Sequence, residues 1–143
     1  MNVVPGEARL SVDLRGEYDE ARDRVWERIA GEIDAVMGRR GLRWHAHDVH
    51  RAPAVMCAPL LRDVVREGIV AAGGADAPEP AVIFSRAGHD AMALGGVTDV
   101  GMLFLRNPDG ISHHPDESVA AGDVQRGIQA LAETVLHLAA EPR

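Results

Sequence analysis

Disulfides, membrane-spanning runs and basic clusters are all missing from this chain. A single cysteine, Cys57, excludes an internal disulfide framework and fits a reducing cytoplasm, where it reads as a small buried hydrophobe. No apolar run approaches the roughly 20 residues of a membrane span, and no signal-peptide pattern opens the sequence. A cytoplasmic protein with no membrane partner is therefore expected. The net charge of -7, with dispersed arginines, also argues against duplex nucleic acid or an anionic bilayer, since both reward clustered positive charge. Aromatic residues make up only 3% of the chain, so its 46% apolar content has to build a core from Val, Leu, Ile and Ala. The length, 143 residues, is that of one ordinary domain.

What is present is a sequence of alternating patterns. Residues 8–15 place Leu10, Val12 and Leu14 on one face and Arg9, Ser11, Asp13 and Arg15 on the other, the pattern of a half-buried strand. From about Tyr18 to Arg40, Val25, Ile29, Ile33, Val36 and Met37 recur at the helical period. Acidic residues lie in the first turn, Arg39-Arg40 in the last, and Gly41 supplies the stop. Leu42 to Val49 alternates again, so the first fifty residues read as strand, helix, strand, half of an α+β sandwich. After the turn at Ala52-Pro53, helical spacing returns over Pro59 to Ala72, and Gly73-Gly74 and the link 75–80 follow. Ala81 to Phe84 and Val100 to Leu105 read as buried strands. A closing helix over 121–140 carries a core stripe of Val124, Ile128, Leu131, Val135 and Leu138. The expected fold class is α/β, in two pieces divided at residues 52/53.

Three places carry candidate chemistry. The turn Asn107-Pro108-Asp109-Gly110 delivers His113 just past a strand, and a neutral imidazole there suits a metal. Glu117 or Asp116 is close enough in sequence to fix its tautomer. Adjacent His113 and His114 point different ways, however, and a catalytic zinc takes about three protein ligands, so this loop offers one ligand. At Ser85 to Ala91 a strand-to-helix turn containing Gly88-His89-Asp90 exposes N–H groups that favour an anion, although the signal by itself is weak and an ordinary loop is the more frequent meaning of such a stretch. His45 and His47 share a face opposite Leu42, Trp44 and Ala46, which places them on the solvent side rather than at a metal.

Taken together, Asn2-Val3-Val4-Pro5-Gly6 with Val12-Asp13-Leu14-Arg15, Ala87-Gly88-His89-Asp90-Ala91, and Gly110-Ile111-Ser112-His113 with Pro115 and Glu117 resemble one family. It is the hydantoinase/carbamoylase group: allantoate amidohydrolase, N-carbamoyl-L-amino-acid hydrolase and β-ureidopropionase. These belong to the zinc aminoacylase and carboxypeptidase-like metallopeptidase superfamily. The resemblance implies that His113 is a metal ligand of a binuclear site (zinc, or manganese, cobalt or nickel). It implies that Arg15 clamps the substrate carboxylate, that Asn2, Gly88 and His89 bind substrate, and that Glu117 supports His113 from behind. Arg86 stands where the family often has Gly, and His114 where it usually has Asn.

The resemblance covers only the C-terminal third of such relatives. It implies that residues 1–52 are the second half of a lid and dimerisation domain, and that 53–143 are the C-terminal part of a catalytic domain. The remaining metal ligands and the general base would then come from a missing N-terminal half. The expected function is part of an amidohydrolase cleaving C–N bonds of N-carbamoyl amino acids, ureides or related amides. By itself the chain is expected to be inactive, with a small-molecule amide as substrate and the missing half or a homodimer mate as partner. The alternative is a non-catalytic module that binds a small carboxylate or mediates dimerisation.

Overall fold

Four helices account for all the regular structure in the computed structural model of the chain, which describes residues 4–74 and 77–140. They are α1 (Asp19–Arg40), α2 (Pro59–Gly73), α3 (Asp90–Leu94) and α4 (Ala121–Ala140). The bounds of α1 and the start of α2 follow from local chemistry. In α1, Asp19 and Glu20 meet the positive end of the helix dipole and Arg39 and Arg40 the negative end. Gly41 then turns left-handed at φ 65, and Leu42 N–H donates to Met37 O at 2.9 Å, which caps an otherwise orphaned carbonyl. Pro59 opens α2, at a position where its missing N–H costs nothing.

The α/β expectation is overturned. Among the described residues there is no strand and no sheet. The alternating segments 8–15 and 42–49 and the apolar segments 81–84 and 100–105 run as irregular chain. Alternation only says which side chains share a face, whereas a strand also needs a neighbouring backbone to complete its ladder of hydrogen bonds. The 100–105 segment instead gives Val100 O to the N–H of Ala58, just ahead of α2, at 2.9 Å. Leu10, expected on a buried face, is 91% exposed.

The described chain forms two units: Met1–Ala54 with Phe84–Ala87, and Val55–Ile83 with Gly88–Arg143. In the first, α1 is tied to the segment after it by polar contacts. Arg22 donates to Ala52 O at 3.0 Å, and Asp19 accepts the Ala54 N–H at 2.9 Å. Trp44 donates to Asp34 at 2.6 Å.

In the second unit α2 packs on α4, the one helix pair in contact among the described residues. Val64, Val100 and Ala130 are its buried apolar residues. Gly68 makes this packing close: a Cβ there would lie 2.5 Å from Ala130 O and 2.5 Å from Thr134 Oγ1. The buried Thr134 hydroxyl is satisfied by donating to Ala130 O at 2.8 Å. The face of α4 that packs on α2 is thus the one bearing Ala130 and Thr134. The stripe expected to be core is displaced: Val124, Ile128, Leu131 and Val135 are exposed, and only Leu138 is half-buried. Small side chains win because they let the two backbones approach, while the larger aliphatics are left facing outward.

The chain exposes 12039 Å². Two compact bodies sharing its mass would expose roughly 8,600 Å². Many large aliphatic residues on α1, α4 and the irregular segments are exposed, so the described residues leave apolar faces without cover.

Candidate functional site

In the first unit, Arg15 is held from two sides. Its Nε donates to Asp13 Oδ1 and Oδ2 at 2.9 and 3.1 Å, and its Nη2 to Oδ2 at 2.6 Å. Its Nη1 donates to the main-chain carbonyl of Arg86 at 2.5 Å, across 71 positions of sequence. Both side chains of the pair are more than half exposed. The hydrogen bond from Arg15, opposed by some desolvation and aided by its positive charge, lowers the Asp13 pKa; the same bond raises that of Arg15.

A carboxyl whose folded pKa is lowered contributes stability above its unfolded value and loses it as pH falls through the folded one. The pair should therefore persist at neutral pH and open only in acid below the ordinary value of 3.8. Carbon-13 titration of Asp13 tests this: the midpoint should lie lower in the wild type than in Arg15→Gln. The gap should shrink with added salt because the pair is exposed, and coincident midpoints would contradict it.

In the second unit, the turn at 107–110 forms as its composition demands. Gly110 N–H donates to Asn107 O at 3.2 Å, Gly110 is left-handed at φ 63, and the Asn107 amide donates to Ile111 O. His113 follows at φ 58, the one non-glycine residue with positive φ among those described, a backbone state that costs about 1–3 kcal/mol for an ordinary side chain. Glu117 offsets that cost. Its carboxylate accepts the His113 main-chain N–H at 2.9 Å, and its own N–H donates to His114 O at 2.9 Å. Asp116 goes to the other histidine, donating its N–H to His114 Nδ1 at 3.2 Å. Glu117 thus meets His113 through the backbone and not through the imidazole, which is exposed.

His89 precedes α3 in extended conformation and sits edge-on to Phe104, with ring centroids 5.6 Å apart. Gly88 has open space where a Cβ would stand. The helix expected after this turn is present but only five residues long. Asn2 lies outside the described residues. His45, His47 and His50 are exposed, and Cys57 is half-buried and free.

Among the described residues no three His, Cys, Asp or Glu side chains gather closely enough to hold a metal ion. Among the same residues no helix is long and apolar enough to cross a membrane. The contact that sequence reasoning missed is Asp13 to Arg15. The signal was there, because residues two apart in an extended segment share a face. The Arg86 carbonyl left no signal, since any residue type supplies one.

The sequence pattern of peptidase family M20/M25/M40 matches residues 7–137. The chain is 33% identical over 135 residues to an N-carbamoyl-L-amino-acid amidohydrolase of Pseudomonas sp. (strain NS671), covering 94% of this chain and 32% of that protein. It is 35% identical over 136 residues to an allantoate deiminase of Arabidopsis thaliana, covering 92% and 26%. An N-carbamoyl-L-amino acid amidohydrolase of Geobacillus stearothermophilus is 30% identical over 139 residues, covering 97% and 33%. The chain thus spans about a third of the length of the curated relatives it matches. No solved structure matches it significantly.

Proposed function

Because the chain belongs to peptidase family M20/M25/M40, we propose that it contributes the C-terminal third of a metal-dependent amidohydrolase acting on N-carbamoyl amino acids or ureides such as allantoate. The observation that carries this reading is similarity along nearly the whole chain to relatives bearing those two names. The chain's own residues supply binding and presentation. Arg15 offers a planar cation suited to a substrate carboxylate, and His113 offers an imidazole held out by a supported left-handed backbone. Gly88, His89 and Asn2 line the substrate on this reading. The metal ions, zinc or another divalent ion, need further ligands from outside this chain, since one imidazole falls short of about three protein ligands. No chemical step is therefore assigned to metal within these residues.

The exposed aliphatic faces of α1 and α4 fit burial against the rest of such an enzyme or against a second copy. A non-catalytic carboxylate-binding or dimerisation module is the second reading, favoured by the half-exposed Arg15 guanidinium and the exposed aliphatic residues of α4.

The test is complementation. The purified chain should bind divalent metal weakly and hydrolyse no N-carbamoyl amino acid. Mixed with the N-terminal two-thirds of a relative, it should co-sediment and gain metal-dependent hydrolysis. Within that complex Arg15→Lys should raise KM far more than it lowers kcat, because a point charge replaces a fork. Tight stoichiometric zinc on the isolated chain, or no complex with the supplied portion, would reject the reading in favour of the module.

A further inference from the structure

A guanidinium has five N–H donors in one plane, arranged as a side edge (Nε and Nη2) and an end edge (Nη1 and Nη2). Asp13 takes the side edge of Arg15 with both carboxylate oxygens. The Arg86 carbonyl takes one N–H of Nη1. One N–H on each terminal nitrogen is not used by these partners, and the group is half exposed. An ion pair this open to solvent contributes little to stability, so its consequence lies in direction: two anchors fix the plane and roll of an otherwise flexible side chain.

We propose that Asp13 is a positioning residue, holding the side edge of Arg15 so that the end of the guanidinium is presented to a carboxylate ligand. This rests on the reading of Arg15 as the carboxylate clamp and adds the residue that aims it. Asp13 is well placed for the task. Two positions away in the sequence, it reaches both Nε and Nη2 of Arg15, and its short side chain keeps few rotamers of its own. The competing geometry, in which Asp13 is a built-in rival that a ligand must displace, would have the ligand approach the side edge.

The two are separable in the 143-residue chain with arginine labelled by nitrogen-15. The probes are N-carbamoylglycine and methylurea, the second lacking the carboxylate. N-carbamoylglycine should move the Arg15 Nη signals and leave the Nε–H signal in place, and methylurea should move neither. In Asp13→Asn the Nε–H should exchange faster with water and N-carbamoylglycine should bind roughly tenfold more weakly, the loss expected from misaiming one charge-assisted bond. Asp13→Glu should recover part of both, which a merely structural role would not predict. Equal affinity in wild type and Asp13→Asn would overturn the positioning role while leaving the clamp intact. Tighter binding in Asp13→Asn, with Nε–H moving first in the wild type, would overturn it in favour of the rival. A wild-type chain whose Nη signals ignore N-carbamoylglycine would remove the clamp itself and the positioning role with it.

Discussion

Gly68→Ala is expected to destabilise the chain, although helix propensity alone predicts the opposite. Replacing an interior helical glycine by alanine ordinarily gains about 1 kcal/mol. At Gly68 the added methyl meets Ala130 O and Thr134 Oγ1 at 2.5 Å and Thr134 N at 3.2 Å. Two of these are backbone atoms of α4, which cannot rotate away, so the helices must separate around Val64 and Ala130. Overpacking of that kind costs roughly 1–3 kcal/mol; with a backbone oxygen at 2.5 Å the cost falls in the upper part of that range, above the propensity gain, and Gly68→Val should go further.

The control is Gly31→Ala, in the middle of α1, where a Cβ has nothing within 4 Å. It should stabilise by about 1 kcal/mol. Thermal unfolding by circular dichroism should show opposite shifts in Tm, downward for Gly68→Ala by about 5 °C for a unit of this size. Shifts of the same sign would contradict the close α2–α4 packing.

His113→Gly is expected to separate stability from function. His113 holds φ 58, a conformation that glycine adopts freely, so the substitution relieves local strain and should leave stability unchanged or raise it by about 1 kcal/mol. In the complemented enzyme it removes the one metal ligand this loop offers, and hydrolysis should fall to the uncatalysed level with loss of bound metal. His113→Ala should lose activity equally while keeping the backbone strain, and so be the less stable of the two. Retention of a tenth or more of the wild-type kcat/KM by His113→Gly, with metal still bound, would remove His113 from the site.

These two predictions draw on different layers of information. The loop around His113 is local: Asn107-Pro108-Asp109-Gly110 specifies a turn by composition, and Glu117 four residues on reaches the His113 N–H within the same short segment. The turn and the candidate imidazole were therefore legible in the sequence, although the left-handed backbone of His113 was not. The packing at Gly68 is not local. A glycine inside a helical pattern says only that the pattern is weakened, and nothing in residues 59–73 names Ala130 and Thr134 as its neighbours.

By itself the sequence determined the three long helices, with both ends of α1 and the start of α2, because the charges and Gly41 of α1 and Pro59 of α2 act within one turn of where they stand. It also determined the family, since the motifs around Arg15, His89 and His113 lie in order along one chain. Only the tertiary structure decided what the alternating and apolar segments became, because strand identity depends on a hydrogen-bonding neighbour that no single segment encodes. It alone decided which face of α4 is buried: the hydrophobic period marks the large aliphatics, whereas close approach of two backbones selects Ala130 and Thr134. The hold on Arg15 divides the same way. The carboxylate of Asp13 was readable from a spacing of two, and the Arg86 carbonyl, 71 positions away, depended on the fold.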